Sequence, residues 1–373
     1  MSENGSAATS RPPCFLFQSP NTVGLGHLNR LAAIACAIRD REPAAKILFL
    51  VEGDSHLLLD AVRLPYVTVP HSSQRGSESW AAWPHEEQQV YFAEAANRLL
   101  AWLRPDVVIF DTIPYWTLSK AAIAVNIPIV LCLRKFKAGG DWASLGASFL
   151  SKLSLILAAE AGVIEIMPKD IQPRCAYVGD IVRGRAETSG PLQPRTVVIT
   201  GGGGGYPGTV DFYNLALAAI SRLRGDGEDV AVKLVTGPLF KEWDRLALMP
   251  DVTVLPFDPA LRQSLLTAGV VICQAGYNTI AELKRMPVKA ICIPGERNLD
   301  DQVSRAVMTS TALPGFQVYL GGSAAGLAQQ IRVALAEPRP DARADTDDRG
   351  AERAAELLLK HVGAASTVSV QSA

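Results

Sequence analysis

Residues 24–30 read Gly-Leu-Gly-His-Leu-Asn-Arg, and they gather the most reactive side chains of the first half of the chain. Glycines at a strand-to-helix turn let the backbone approach a ligand closely, and the following helix offers unpaired N–H groups to an anion. His27 then falls in the first helical turn. There the positive helix end disfavours the imidazolium and leaves a ring nitrogen free to take a proton near neutral pH. A histidine that merely caps or packs is the plain alternative. Arg30, one turn on, opposes the helix dipole, so it answers an anion or a carboxylate or else lies solvated on the surface. Asp111 follows the apolar run 107–110. It either orients His27 and stabilises its protonated form, as the acid of a triad does, or caps a helix starting near Tyr115. A dinucleotide fingerprint competes for the glycine turn, with Glu52 as its ribose acid. Against it, Asn29 stands where the third glycine belongs, and His27 has no role there.

The second half carries a matching set. A β-branched run at 196–200 leads into five glycines at 201–205, including Gly202, Gly203 and Gly204. Five glycines before a helix are costly in backbone entropy, so close approach of a phosphate explains them better than a plain turn. No Gly-Lys-Ser/Thr follows, which excludes a Walker loop. Further on, Gln274-Ala275-Gly276-Tyr277-Asn278-Thr279-Ile280-Ala281-Glu282 follows an apolar run at 270–273. Gly276 makes the turn, Asn278 and Thr279 open a helix suited to a diphosphate, and Glu282 is placed to grip a ribose diol. Asn278 or Thr279 as N-cap and Glu282 as a dipole-favoured surface acid are the structural alternatives. Asp301 and Gln302, at a loop–helix junction, suit sugar hydroxyls or a capping role.

Positioning these groups requires strands that alternate with helices. Strand-like runs are expected at 14–17, 46–51, 66–69, 107–110, 127–133 and 163–166, then 196–200, 230–235, 252–255, 270–273 and 288–293. Helices are expected at 28–39, 86–103, 145–159, 210–224, 258–268, 279–285, 300–310 and 352–361. This alternation indicates βαβ units and parallel sheets covered on both faces. The polar stretch 185–195 (RAETSGPLQPR) reads as a linker. It divides an α/β chain into a Rossmann-like domain at 12–184 and a second at 196–345, followed by a C-terminal helix at 346–362. Residues 1–11 and 363–373 read as flexible tails. Two such halves face each other across a cleft at the carboxyl ends of their strands.

The bulk composition narrows the partners. The 373 residues carry 36 basic and 37 acidic side chains, which gives no footprint for nucleic acid. Six scattered cysteines without a CxxC pair fit a reducing compartment, and the N-terminus lacks the pattern of a secretory signal. The expectation is a cytoplasmic protein without a membrane span, for which peripheral membrane contact stays open. Neither a metal nor a cofactor is expected.

In order and spacing, these pieces resemble the GT-B glycosyltransferases, and within them family 28. The segment 177–183 (YVGDIVR) looks like the family's interdomain Gly-Asn-Pro-Val-Arg stretch, from which Asp180 and Ile181 depart. Residues 254–257, 274–282 and 301–302 look like its nucleotide, diphosphate/ribose and sugar-binding stretches. The resemblance implies an inverting, metal-independent transfer from a nucleotide-sugar, a UDP-sugar by preference, to a small-molecule, saccharide or lipid-linked acceptor. It implies His27 as general base with Asp111 beside it. For the donor it implies Arg183, Gly202, Gly203, Gly204, Phe257, Gly276, Tyr277, Asn278, Thr279, Glu282, Asp301 and Gln302. Gly26, Arg30 and Trp116 are expected on the acceptor side. The glycine loop lacks the family's serine, so its phosphate contacts would be backbone only. The GxGHxxR form also resembles a GT-B-like hydrolase that removes UDP from a nucleotide-sugar, which keeps hydrolysis or epimerisation as the alternative.

Overall fold

A computed structural model describes residues 11–20, 24–53, 56–70, 83–135, 145–184, 190–297, 300–341 and 349–371 of the chain, with side chains of the last helix to 364. Its first half contains β1 (Cys14–Pro20), α1 (Gly26–Arg41), β2 (Lys46–Glu52), α2 (Leu57–Val62) and β3 (Tyr66–Val69). There follow α3 (His85–Leu103), β4 (Val107–Asp111), α4 (Trp116–Ala124), β5 (Ile129–Leu133), α5 (Ala147–Leu150), β6 (Leu153–Ala158) and β7 (Cys175–Tyr177). The strands form one seven-stranded parallel sheet in the order β3-β2-β1-β4-β5-β6-β7.

The second half contains β8 (Gln193–Thr200), α6 (Thr209–Gly225), β9 (Ala231–Val235), β10 (Val252–Leu255), α7 (Leu261–Thr267), β11 (Ala268–Cys273) and α8 (Tyr277–Leu283). It ends with β12 (Ala290–Cys292), α9 (Gln302–Ala312), β13 (Phe316–Val318), α10 (Ala324–Ala336) and α11 (Gly350–Gln371). Its sheet is parallel and six-stranded, in the order β10-β9-β8-β11-β12-β13. Both sheets therefore reverse direction of winding next to their first strand, between β1 and β4 and between β8 and β11. At such a point the loops leave to opposite sides and open a crevice.

The expected two-domain α/β architecture is present, with local differences. The stretch expected as a helix at 145–159 makes only the short α5, and Leu153–Ala158 continues as β6. An unbroken aliphatic run is buried on both faces of a parallel sheet, and periodicity alone cannot separate it from a buried helix. The strand expected at 163–166 is a turn, entered through Gly162 at φ +80°. The second sheet starts at Gln193, inside the stretch expected as linker, of which 185–189 lie outside the described residues. Residues 1–10 also lie outside them, and α11 continues to Gln371, through much of the expected C-terminal tail.

The last helix closes the first domain and not the second. Ala351, Ala354, Ala355 and Leu358 of α11 join the core formed by α1 with Phe15, Phe17 and Phe49. Arg353 Nε donates to the Val178 carbonyl at 2.8 Å, and Arg41 pairs with Glu356 at 2.8 Å. At Gly350 a Cβ would stand 2.2 Å from the Asp180 carbonyl oxygen, so only glycine lets the helix start there. The chain crosses between the halves twice, which ties them at the base of the cleft.

Candidate active site

The two winding reversals place His27 and Asp111 on one wall of the cleft and the 201–205 and 274–279 loops on the other. Asp111 ends β4, fully buried, and His27 sits in the first turn of α1 with its side chain 26 % exposed. Nδ1 of His27 lies 2.6 Å from Asp111 Oδ1, so the outward-facing Nε2 is left to meet a substrate. The triad-like reading of Asp111 is the one the geometry matches, since α4 carries no side-chain cap from it. The next residue, Thr112, holds φ +60°, a left-handed conformation that costs a non-glycine residue on the order of 1–3 kcal/mol and that clusters at functional sites. Its hydroxyl donates to Asp111 Oδ1 at 2.8 Å.

Arg30 is not a surface residue: it is 2 % exposed. Its Nε donates to Asp111 Oδ2 at 2.8 Å and its Nη2 to Oδ1 at 2.5 Å, a two-pronged pair. Burial alone would raise the Asp111 carboxyl, but the charges and hydrogen bonds of Arg30 and His27 overcome it. They hold that carboxyl well below the usual carboxylate range. Burial likewise works against the Arg30 charge, and Asp111 more than restores it. Arg30 therefore stands behind His27 and braces its partner, where an acceptor contact had been expected.

The same arginine reaches the second domain. Its guanidinium lies 5.2 Å from the centre of the Tyr277 ring, and its Nη1 is 3.4 Å from Asn278 Oδ1. Asn278 Nδ2 donates to the Gly26 carbonyl at 2.8 Å, and Asn29 Nδ2 to Glu282 Oε1 at 3.2 Å. Tyr277 hydroxyl reaches the Ala159 carbonyl at 3.0 Å. The first turns of α1 and α8 thus meet tip to tip across the cleft, with Gly276 and Thr279 beside them. A second link joins Arg134, just past β5, to Asp300 at 2.9 Å, which Arg305 also holds at 2.7 Å. The sequence reading missed Arg134, Asp300 and Arg305. The signal that found Asp111, a charged residue directly after a buried strand, applies equally to Arg134.

The glycine loop is explained largely by the chain itself. A Cβ at Gly201 would stand 2.5 Å from the Tyr213 hydroxyl, and at Gly204, with φ +80°, 2.2 Å from the Thr236 carbonyl oxygen. At Gly203 it would meet Leu25 N at 2.8 Å and Gly24 Cα at 2.9 Å, in the opposite domain. Gly202, at φ +73°, has open space around it. Gly203→Ala should therefore push the two glycine turns apart and lower turnover by about tenfold or more. Because the clash lies between domains, the melting temperature should change little; steady-state rates and a thermal melt check both.

Other expected donor residues have internal duties. Asp301 caps α9, accepting from Ser304 N at 3.0 Å and from the Ser304 hydroxyl at 2.7 Å. Gln302 is buried, and its Oε1 accepts from Gly295 N at 2.9 Å. A loop–helix junction needs its first amides satisfied, and Asp301 does so, while Gln302 holds the preceding loop. Arg183 acts on Cys36 of α1 by its charge, which works against the rise that burial gives the thiol. Its Nη1 is buried without a partner. Phe257 is half-buried beyond the end of β10. Trp116 is 42 % exposed at the start of α4, edge-on to Phe149 at 5.1 Å.

Glu52, the would-be ribose acid of a dinucleotide site, is 6 % exposed and accepts from Gln18 Nε2. Burial pushes its carboxyl up to about 7, against the pull of the Gln18 hydrogen bond. The folded value lies above the ordinary 4.5, so the associated stability is whole below pH 4.5 and is lost as the pH rises to about 7. Glu52→Gln should therefore stabilise the fold at pH 8, by at most on the order of 3 kcal/mol, and leave its stability unchanged at pH 4.5. Thermal melts of both proteins across this range test it.

Comparison with known proteins agrees with this arrangement. Residues 196–357 match the glycosyltransferase family 28 C-terminal domain. The chain is 23 % identical over 340 residues to the UDP-N-acetylglucosamine–N-acetylmuramyl-(pentapeptide) pyrophosphoryl-undecaprenol N-acetylglucosamine transferase of Leuconostoc mesenteroides, covering 84 % of this chain and 90 % of that one. Acinetobacter baumannii MurG superposes with a TM-score of 0.53 at 16 % identity, over 94 % of this chain and 100 % of that structure. The UDP-GlcNAc 2-epimerase of Methanocaldococcus jannaschii does so with 0.61 at 13 % identity, over 94 % and 99 %. No described helix is long and apolar enough to cross a membrane. With the family 28 domain on its second sheet and paired parallel sheets around the cleft, the chain is a glycosyltransferase of GT-B fold that resembles family 28 and draws on a nucleotide-sugar donor.

Proposed function

We propose that the chain inverts the anomeric centre of a UDP-sugar as it transfers the sugar to an acceptor hydroxyl, with His27 as general base. The observation that carries this reading is the His27–Asp111 pair, 2.6 Å apart, facing the α8 turn of the donor-side domain. Nδ1–H donates to Asp111, and Nε2 takes the acceptor proton as its oxygen attacks the anomeric carbon. The bond from that carbon to the diphosphate oxygen breaks, and the nucleoside diphosphate leaves. Asp111 stabilises the imidazolium that forms, and Arg30 keeps Asp111 ionised and in place.

On the donor side, Glu282 grips the ribose diol and the backbone at 276–279 faces the diphosphate. Asp301 and Gln302 act by shaping the loop at 294–302. The named activity of the Leuconostoc relative favours N-acetylglucosamine as the sugar and a lipid-linked acceptor. Trp116 and the nearby exposed Ile113 lie on that acceptor side. No cofactor takes part in this scheme.

The test is release of UDP from UDP-N-acetylglucosamine with and without a lipid-linked muramyl peptide acceptor. Release that requires the acceptor supports transfer. Release or epimerisation at the same rate without it would replace transfer by the hydrolase or epimerase reading.

A further inference from the structure

The cations around the cleft are not equivalent. Arg30 is neutralised by Asp111, and Arg134 and Arg305 share Asp300. Among the described residues the hydrogen-bond and ring partners of Arg297 are neutral: its Nη2 donates to Gln274 Oε1 at 2.7 Å and its Nη1 to the Glu296 carbonyl at 2.8 Å. Its guanidinium carbon lies 3.9 Å from the centre of the Tyr206 ring. Those contacts come from loops after three neighbouring strands: Tyr206 beyond β8, Gln274 beyond β11 and Arg297 itself beyond β12. Arg297 is therefore held over the winding reversal of the second sheet, where α/β sheets take their ligands. Tyr206 reaches the other wall as well, since a Cβ at Gly24 would lie 3.7 Å from its ring. At Gly295 a Cβ would come within 3.0 Å of Arg297 Nη1 and 3.1 Å of Gln274 Nε2, so the glycine makes room for this placement.

From this geometry we propose that Arg297 is the side chain that binds the diphosphate of the donor and stabilises it as it leaves. The inference rests on the nucleotide-sugar reading above and adds to it a cation, which the glycine loop does not supply. Burial works against the guanidinium charge, and Tyr206 and Asp300 only partly offset this, so an arriving anion supplies what the site lacks. A planar guanidinium also matches two phosphate oxygens at once, which a lysine cannot do. Stacking on Tyr206 keeps the fork in plane while it exchanges the Gln274 oxygen for phosphate.

The experiment is calorimetric titration of UDP, inorganic pyrophosphate and uridine into wild type, Arg297→Met and Arg297→Lys. Arg297→Met should lose about tenfold to a hundredfold in affinity for UDP and pyrophosphate while uridine binding is unchanged. Arg297→Lys should recover part of the loss, and both variants should melt near wild type because Arg297 is half-buried and breaks no ion pair. If Arg297→Met melts early, the comparison of Arg297→Lys with wild type carries the test, with a loss for UDP but none for uridine expected. Wild-type affinity for UDP in the variants would overturn this inference alone. A wild-type protein that binds neither UDP nor pyrophosphate would overturn it together with the nucleotide-sugar reading.

Discussion

His27→Ala should lower turnover by a factor on the order of 10² or more while leaving donor affinity within about twofold of wild type. The asymmetry follows from the architecture. His27 belongs to the first sheet and, with its side chain 26 % exposed, turns one ring nitrogen toward the cleft, whereas the groups assigned to the donor leave the second sheet. Removing the imidazole takes away the proton acceptor and little of the donor site. Steady-state rates at saturating donor check the first part and direct titration the second. Unchanged turnover would leave His27 as a packing residue and return the choice of base to the rest of the cleft.

Asp111→Ala should be the most damaging substitution to stability in the first domain. It strands the guanidinium of Arg30, 2 % exposed, without its counter-charge, and breaking one side of a buried pair costs about 3–5 kcal/mol. Arg30→Met combined with Asp111→Leu should be less destabilised than Asp111→Ala alone, because two buried charges leave together. The pH dependence has the opposite sign to that of Glu52. The folded Asp111 carboxyl lies below its ordinary 3.8, so its contribution is present above about pH 4 and is lost as the pH falls further. Denaturant melts of the three proteins at pH 7 and below pH 4 test both statements. Equal stability of Asp111→Ala and wild type at pH 7 would contradict the buried pair.

Some of this was legible from residue order alone. The strands at Tyr66–Val69 and Val252–Leu255 match their sequence expectation to the residue, because prolines or an aspartate bracket short β-branched runs. Asp111 was singled out because it lies just past a buried strand, and His27 because it opens a helix behind two glycines; the structure brings the two side chains within 2.6 Å. The opposition of Arg30 to its helix dipole marked it as a residue that needs an anion. Its partner, 81 positions away, depends on β4 lying beside β1, and strand order is not written in periodicity. The same holds for Arg134 and Asp300, separated by 166 positions and by two domains. The glycine loop was legible as a place of close approach. That the approaching groups include Tyr213 and Thr236 follows from packing within the second domain, and that they include Gly24 follows from how the two domains come together.

The central claim is a division of labour: the second sheet holds the nucleotide-sugar and the first sheet does the proton chemistry. Calorimetric titration of UDP-N-acetylglucosamine into wild type, Glu282→Ala and His27→Ala tests it most directly. The account predicts binding to wild type and His27→Ala alike, and a loss of about tenfold or more in Glu282→Ala as the charge-assisted ribose contacts disappear. Equal binding by Glu282→Ala, or lost binding in His27→Ala alone, would place the donor on the first sheet and contradict the account.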